Sequence, residues 1–144
     1  MSAKSQKETF QATIENTLGE KCDFETVKNI HDSLNEMIEE AKDEPVPLTL
    51  DKNQIKQLLV NNGATREKLE EYDQCYKECQ EEENSGFIAS NVVNTKSFEI
   101  KTTDVIIKIA PDKSYLVKRQ LVNGRSCIVI ETSEHIEING IVVK

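Results

Sequence analysis

Cys75 and Cys79 lie four positions apart in REKLEEYDQCYKEC, a spacing that sets two thiols on one helical face. Two thiolates are half of a structural zinc site, which needs about four ligands at close range, commonly presented by C-x2-4-C loops. The remaining candidates, Cys22, Cys127, His31 and His135, are scattered over very different segments. Nothing in their spacing brings them to the helix. Reduced cysteines on an apolar stripe behave as small hydrophobes, so packing is the expected role of Cys79, and no metal ligand and no cofactor is assigned.

A Cys–His nucleophile fares no better. His31 lies beside the apolar stripe of a helical segment, and His135 sits on a strand-like segment beside Glu134 and Glu137. Neither has an oxyanion loop or an orienting partner, so the roles of a catalytic triad cannot be filled. The five glycines, Gly19, Gly63, Gly86, Gly124 and Gly140, are too far apart to form a phosphate-cradling loop. No catalytic or cofactor-binding residue is assigned. An enzyme class survives only if further sequence completes a site.

The sharpest functional motif is LLVNNGATREKL, a helix ending in Asn-Gly followed by a small residue and a capping threonine. That order resembles the turn of a DNA-binding helix-turn-helix over residues 51–83. The second helix would be the reading helix. It carries Arg66, Lys68 and Lys77 against eight carboxylates, a net of −5. Such a helix sets like charge against phosphate, so a plain αα-hairpin is the better reading. A nucleic-acid-associated regulator is kept as the alternative.

The elements that must position these residues fall into two regimes. In the first, Phe10, Ile14 and Leu18 repeat at helical spacing up to Gly19. Val27, Ile30, Leu34, Met37, Ile38 and Ala41 form a second stripe behind an Asp23 N-cap, with Cys22 and Val27 placed as a hydrophobic staple. Pro45 and Pro47 end that helix. Asp51 and Gln54 have the spacing of a capping box, with Leu50 and Ile55 as staple. The third helix carries Ile55, Leu58 and Leu59 inward and ends at Asn62-Gly63. Thr65 caps a fourth, with Leu69, Tyr72, Tyr76 and Cys79 inward, fraying in the acidic run at Glu81 to Glu83.

The second regime reads as strands. FIASNVV, SFEIK and DVIIKIA are β-rich and separated by turn formers. YLVKRQLV and RSCIVIE flank Asn123-Gly124, while HIEI and IVV flank Asn139-Gly140. Asn-Gly tolerates positive φ at both positions, as a type I′ hairpin turn requires. The expected fold is therefore α+β. An acidic helical subdomain of about four helices spans 1–83, and an antiparallel β subdomain of about five to seven strands, built of hairpins in a meander, spans 87–144.

Charge follows the same division. The 144 residues carry a formal −8; through Gly86 there are 10 basic against 20 acidic residues, net −10, and thereafter 8 against 6, net +2. An acidic surface repels phosphate backbones and anionic lipids. No apolar run reaches the roughly 18–20 residues of a membrane span, and the polar start MSAKSQKETFQ has no signal-peptide core. Four cysteines do not make a disulfide framework at this length. Reduced thiols in a cytoplasm are expected.

QKETFQATIENTLGEKCDFETVKNIHDSLNEMIEE, ASNVVNTKSFEIKT and the closing hairpins resemble the C-terminal region of an uncharacterised family of conserved hypothetical proteins, a domain of unknown function, mainly of clostridia and related Firmicutes. The resemblance spans most of the chain. It implies a bacterial protein and a fragment of a longer parent, with Met1 not native to it and an N-terminal region missing. It brings no catalytic motif. Consecutive apolar residues at Val105-Ile106-Ile107, Cys127-Ile128-Val129-Ile130 and Ile141-Val142-Val143 seek cover on both sheet faces. The expected function is a non-enzymatic interaction or structural module. The sheet would either curl on itself or, as the favoured outcome, dock its second face on a protein partner, a second copy or the missing N-terminal region.

Overall fold

The computed structural model describes residues 2–79 and 86–144, with side chains up to Gln74 in the fourth helix. Helix α1, Ala3–Leu18, begins where the Ser2 hydroxyl accepts from Ser5 N at 3.1 Å and stops at Gly19, whose φ is +53°. Phe10, Ile14 and Leu18 face the core, as their i, i+4 spacing demands. Helix α2, Phe24–Glu40, is capped by the Asp23 carboxylate, which accepts from Thr26 N at 2.9 Å. Its buried stripe is narrower than the spacing predicts: Ile30 and Leu34 are buried, Met37 and Ile38 partly so. Val27, two turns before Leu34 on the same face, is 44% exposed, because the core does not extend over the first turn of α2.

After the proline break, strand β1, Thr49–Leu50, leads into helix α3, Lys52–Asn61. Both halves of the capping box form: Asp51 accepts from Gln54 N at 2.8 Å, and the Gln54 side chain accepts from Asp51 N at 2.9 Å. Leu50, Ile55 and Leu59 are almost fully enclosed. Helix α4, Arg66–Cys79, starts where Thr65 Oγ1 accepts from Lys68 N at 3.2 Å. Tyr72 is buried, and its hydroxyl donates to Lys52 O at 3.0 Å, fastening α4 to α3. The expected inward placement of Tyr76 and Cys79, and the fraying at Glu81 to Glu83, lie outside the described residues and side chains.

Strand β2, Phe87–Ile88, pairs antiparallel with β1, Leu50 opposite Phe87 and Thr49 opposite Ile88. Gly86 stands so close to β1 that a Cβ there would meet Thr49 Cγ2 at 2.5 Å and Leu50 O at 3.0 Å. A side chain at 86 therefore forces the two strands apart. Gln6 of α1 secures the same corner, its Oε1 accepting from Ile88 N at 2.8 Å. Contrary to expectation, FIASNVV is not one strand, since helix α5, Ala89–Val92, follows β2 immediately. Ala89 and Val92 are both buried. Residues three apart share a face in a helix and lie on opposite faces of a strand, so burial against one core selects the helix.

The remaining strands are β3, Phe98–Lys101; β4, Ile106–Ile109; β5, Val117–Val122; β6, Arg125–Ile130; β7, Ile136–Ile138; and β8, Ile141–Val143. A 3-10 segment, Pro111–Leu116, separates β4 from β5. The α+β class is borne out, but the strands do not join into one sheet or a meander. Among the described residues they form four two-stranded antiparallel ladders, β1–β2, β3–β4, β5–β6 and β7–β8. The turns explain this. Asn123-Gly124 and Asn139-Gly140 have positive φ at both positions and close their own hairpins. The ETSEH connection between β6 and β7 contains no such turn, so nothing local sets those two strands side by side.

The main core gathers α1 to α4 with Phe87, Ala89 and Val92, and Phe10 meets Phe87 edge-on at 6.1 Å between ring centres. Substituting Asp51→Ala removes the carboxylate arm of the capping box, leaving only the backbone N–H of residue 51 bonded to Gln54, and is expected to lower stability by about 1 kcal/mol. Leu59→Ala leaves a cavity in the closed core and should cost roughly 2–5 kcal/mol. Urea midpoints at unchanged m-value measure both losses.

Candidate functional site

The structure distributes the chemically capable residues rather than gathering them. Cys22, between α1 and α2, is half-buried against the core, and burial, seconded by Glu15 and Asp23, pushes its thiol pKa up. A thiol so placed is a poor nucleophile. Cys127 lies half-buried on β6 opposite Gln120. His135 is exposed on the approach to β7, 3.7 Å from Glu137 Oε1. Among the described residues no three of His, Cys, Asp and Glu stand close enough to hold a metal ion. The side chains of Cys75 and Cys79 lie outside the described residues.

His31 is the one histidine held by tertiary structure. Its ring packs against Phe98 at 4.8 Å between centroids, and Asn35 Nδ2 lies 3.1 Å from Nε2. Burial lowers its pKa below the usual imidazole value, and the neighbouring Asp32 opposes that shift. Ser114 Oγ donates to Asp32 Oδ1 at 2.5 Å, so a serine, an aspartate and a histidine share this corner. The connections are wrong for nucleophilic catalysis. A serine nucleophile hands its proton to the imidazole while the carboxylate orients the ring; here the hydroxyl bonds the carboxylate directly. The corner is a clamp between α2 and the 3-10 segment. Neither Asp32 nor Ser114 stands out in the sequence. The available signal is the polar set Lys28, Asp32 and Asn35 at helical spacing beside the apolar stripe of α2.

The helix-turn-helix-like corner is an αα-hairpin in which Lys52, Lys56 and Lys68 are engaged locally. Lys56 Nζ donates to Asp73 Oδ2 at 2.7 Å, and this bond, more than any other cause, lowers the Asp73 pKa. Lys52 Nζ approaches Oδ1 at 3.3 Å and lowers the Asp73 pKa further. On α4, Arg66 pairs with Glu70 and Lys68 with Glu71. This surface offers a phosphate backbone more carboxylates than cations. Beside it a cleft of about 390 Å³ opens between α2 and α3. Its floor includes Leu50 and Ile55, which are core residues, and Glu36 and Glu40 stand among its lining.

The conspicuous surface is aliphatic and lies in the β half. In the β7–β8 hairpin, Ile136 faces Val143 and Ile138 faces Ile141. Alternation places these four on one side and Glu137 with Val142 on the other. All six are exposed, Ile138 to 59% and Ile141 to 71%. On β5–β6, Leu121 is 73% exposed, and Ile130 is also uncovered. Of 14 exposed large hydrophobics among the described residues, 11 follow Gly86, so uncovered apolar surface is concentrated in this half.

The model of one protein family, described as a domain of unknown function (DUF4317), matches residues 1–141. The chain belongs to this family. Comparison with curated proteins finds no match, and comparison with solved structures finds none. Membership in the DUF4317 family supports the resemblance in its coarser form and assigns no reaction to any residue. Among the described residues of this DUF4317 chain, no helix is long and apolar enough to cross a membrane.

The depressed His31 pKa sets a pH dependence. Above the ordinary imidazole value His31 is neutral whether the chain is folded or unfolded, and it adds no slope. As pH falls through about 6.5, the unfolded chain takes up a proton that folded His31 resists, so stability declines until the folded pKa is reached. Asp73, also depressed, loses its contribution at lower pH, below about 4. Urea midpoints should therefore fall between about pH 7 and pH 5, and His31→Gln should flatten that decline while Asp73→Asn leaves it in place.

Proposed function

We propose that this chain is a non-enzymatic protein–protein interaction module whose contact surface is its β half. The supporting observation is the set of exposed aliphatic residues on the β7–β8 hairpin and at Leu121 and Ile130. A two-stranded hairpin alone is marginal in water, and three or more strands or a packed partner stabilise an apolar ladder. Contiguous apolar surface on a soluble chain marks interaction sites. The near-neutral charge of this half, against −10 in the helical half, lets a partner approach without strong repulsion.

A bacterial, clostridial source, a cytoplasmic location and a C-terminal position in a longer parent chain belong to the same proposal. They rest on the sequence resemblance and the cysteine usage. The nucleic-acid alternative gains no supporting observation, because the basic residues of α3 and the start of α4 face carboxylates at close range.

Fluorescence of an apolar dye tests the contact surface. The native chain should take up dye at neutral pH, and the double variant Ile138→Asn with Ile141→Asn should lose most of that signal with little change in urea midpoint. No dye uptake by the native chain counts against the reading. A gel shift with duplex DNA at low salt, where counterion release favours binding most, should show no complex; a complex at low micromolar protein would restore the alternative.

A further inference from the structure

We propose that the outer edge of β6 pairs antiparallel with the β6 edge of a second copy of this chain, about a two-fold axis through Ile128. The inference rests on the interaction reading above and names its partner. The Asn123-Gly124 turn closes on Val122 and Arg125 as a hydrogen-bonded pair, and antiparallel pairs alternate from there. Glu131 N donates to Leu116 O at 2.8 Å, where that alternation requires a bond. Ser126, Ile128 and Ile130 consequently direct their backbone N–H and C=O groups away from β5.

The opposite edge is engaged at its start, where Val117 is buried. On β5 the outward groups belong to Val117, Arg119 and Leu121; Lys28 Nζ donates to Val117 O at 3.2 Å, and α2 packs against that strand. Among the described residues, β6 pairs with β5 alone. Its sequence RSCIVI has neither the lysine nor the proline that commonly guards an exposed edge.

A second copy fits this edge in register. The two-fold sets Ile128 opposite Ile128, Cys127 opposite Val129, and Ser126 opposite Ile130. It also sets Arg125 opposite Glu131 of the second copy, and by symmetry it does so twice. Opposite charges across a strand pair stabilise it, and like charges destabilise it. The equivalent pairing of β5 would oppose Arg119 to Arg119, and that of β7 would oppose Glu137 to Glu137. The three-residue β8 presents one outward residue, Val142, against three on β6. The product is a four-stranded sheet in the order β5–β6–β6–β5, which meets the strand number an apolar sheet needs to stand in water.

Sedimentation velocity over a concentration series tests the pairing, with reductant present because Cys127 faces a valine. The wild-type chain should pass from monomer to dimer as concentration rises. Ile128→Pro removes one outward N–H that β5 does not use, and it should leave a monomer with the urea transition retained. Glu137→Pro, on the outer edge of β7, should dimerise like wild type. Arg125→Glu and Glu131→Lys should each shift the equilibrium to monomer, and the double swap should restore the dimer even if the proline variant fails to fold. A wild-type monomer at every soluble concentration overturns the proposal, as does a dimer indifferent to these substitutions. Dye uptake by a strict monomer would leave the interaction reading standing and assign the surface to a different protein.

Discussion

Ser114 and Asp32 are 82 positions apart, and their 2.5 Å hydrogen bond fixes the β half onto one helix. Around it, Lys28 reaches the Val117 carbonyl, and Phe98 lies between the rings of Phe24 and His31. Helix α2 thereby has two working flanks. Ile30 and Leu34 close the helical core, while His31 holds β3, Asp32 the 3-10 segment and Lys28 the start of β5. Hydrogen bonds to charged groups contribute more than neutral ones, and partly enclosed donors and acceptors must be satisfied where they lie. Without this flank the hairpins would have a covalent tether and little else to orient them.

This arrangement also decides which apolar surface is covered. Val117 and Phe98 are buried because α2 stands over them. Among the described residues no such wall covers the β7–β8 hairpin, and its four aligned aliphatics are exposed. The clamp places Ser, His and Asp within one corner without their catalytic connectivity, a reminder that proximity of the right residue types is weaker than the right sequence of proton donors and acceptors.

Much of the fold was legible where its cause is local. The Asp23 and Asp51 caps, the Gly19 and Gly63 stops and both Asn-Gly turns follow from a few neighbouring residues, and each stands where the spacing puts it. What was not legible depends on distance along the chain. The helix at Ala89–Val92 is selected by burial against a distant core, not by the β propensity of FIASNVV. The separation of the hairpins reflects the lack of any local signal pairing β6 with β7. The Asp32–Ser114 clamp could not be read from either segment alone. The exposed apolar surface was anticipated from consecutive aliphatics, but the bond that engages the start of β5 comes from Lys28, far away on α2.

The core assembled around α1 to α4 includes Phe87, Ala89 and Val92, and Gln6 bonds Ile88 across the same corner. During synthesis, when a chain emerges from its N-terminus at roughly 5–20 residues per second, the four helices form before their last wall segments exist. The helical half therefore waits, incompletely closed, until residue 92 has left the ribosome. Its final packing step is set by translation past α5 rather than by how quickly the helices themselves form.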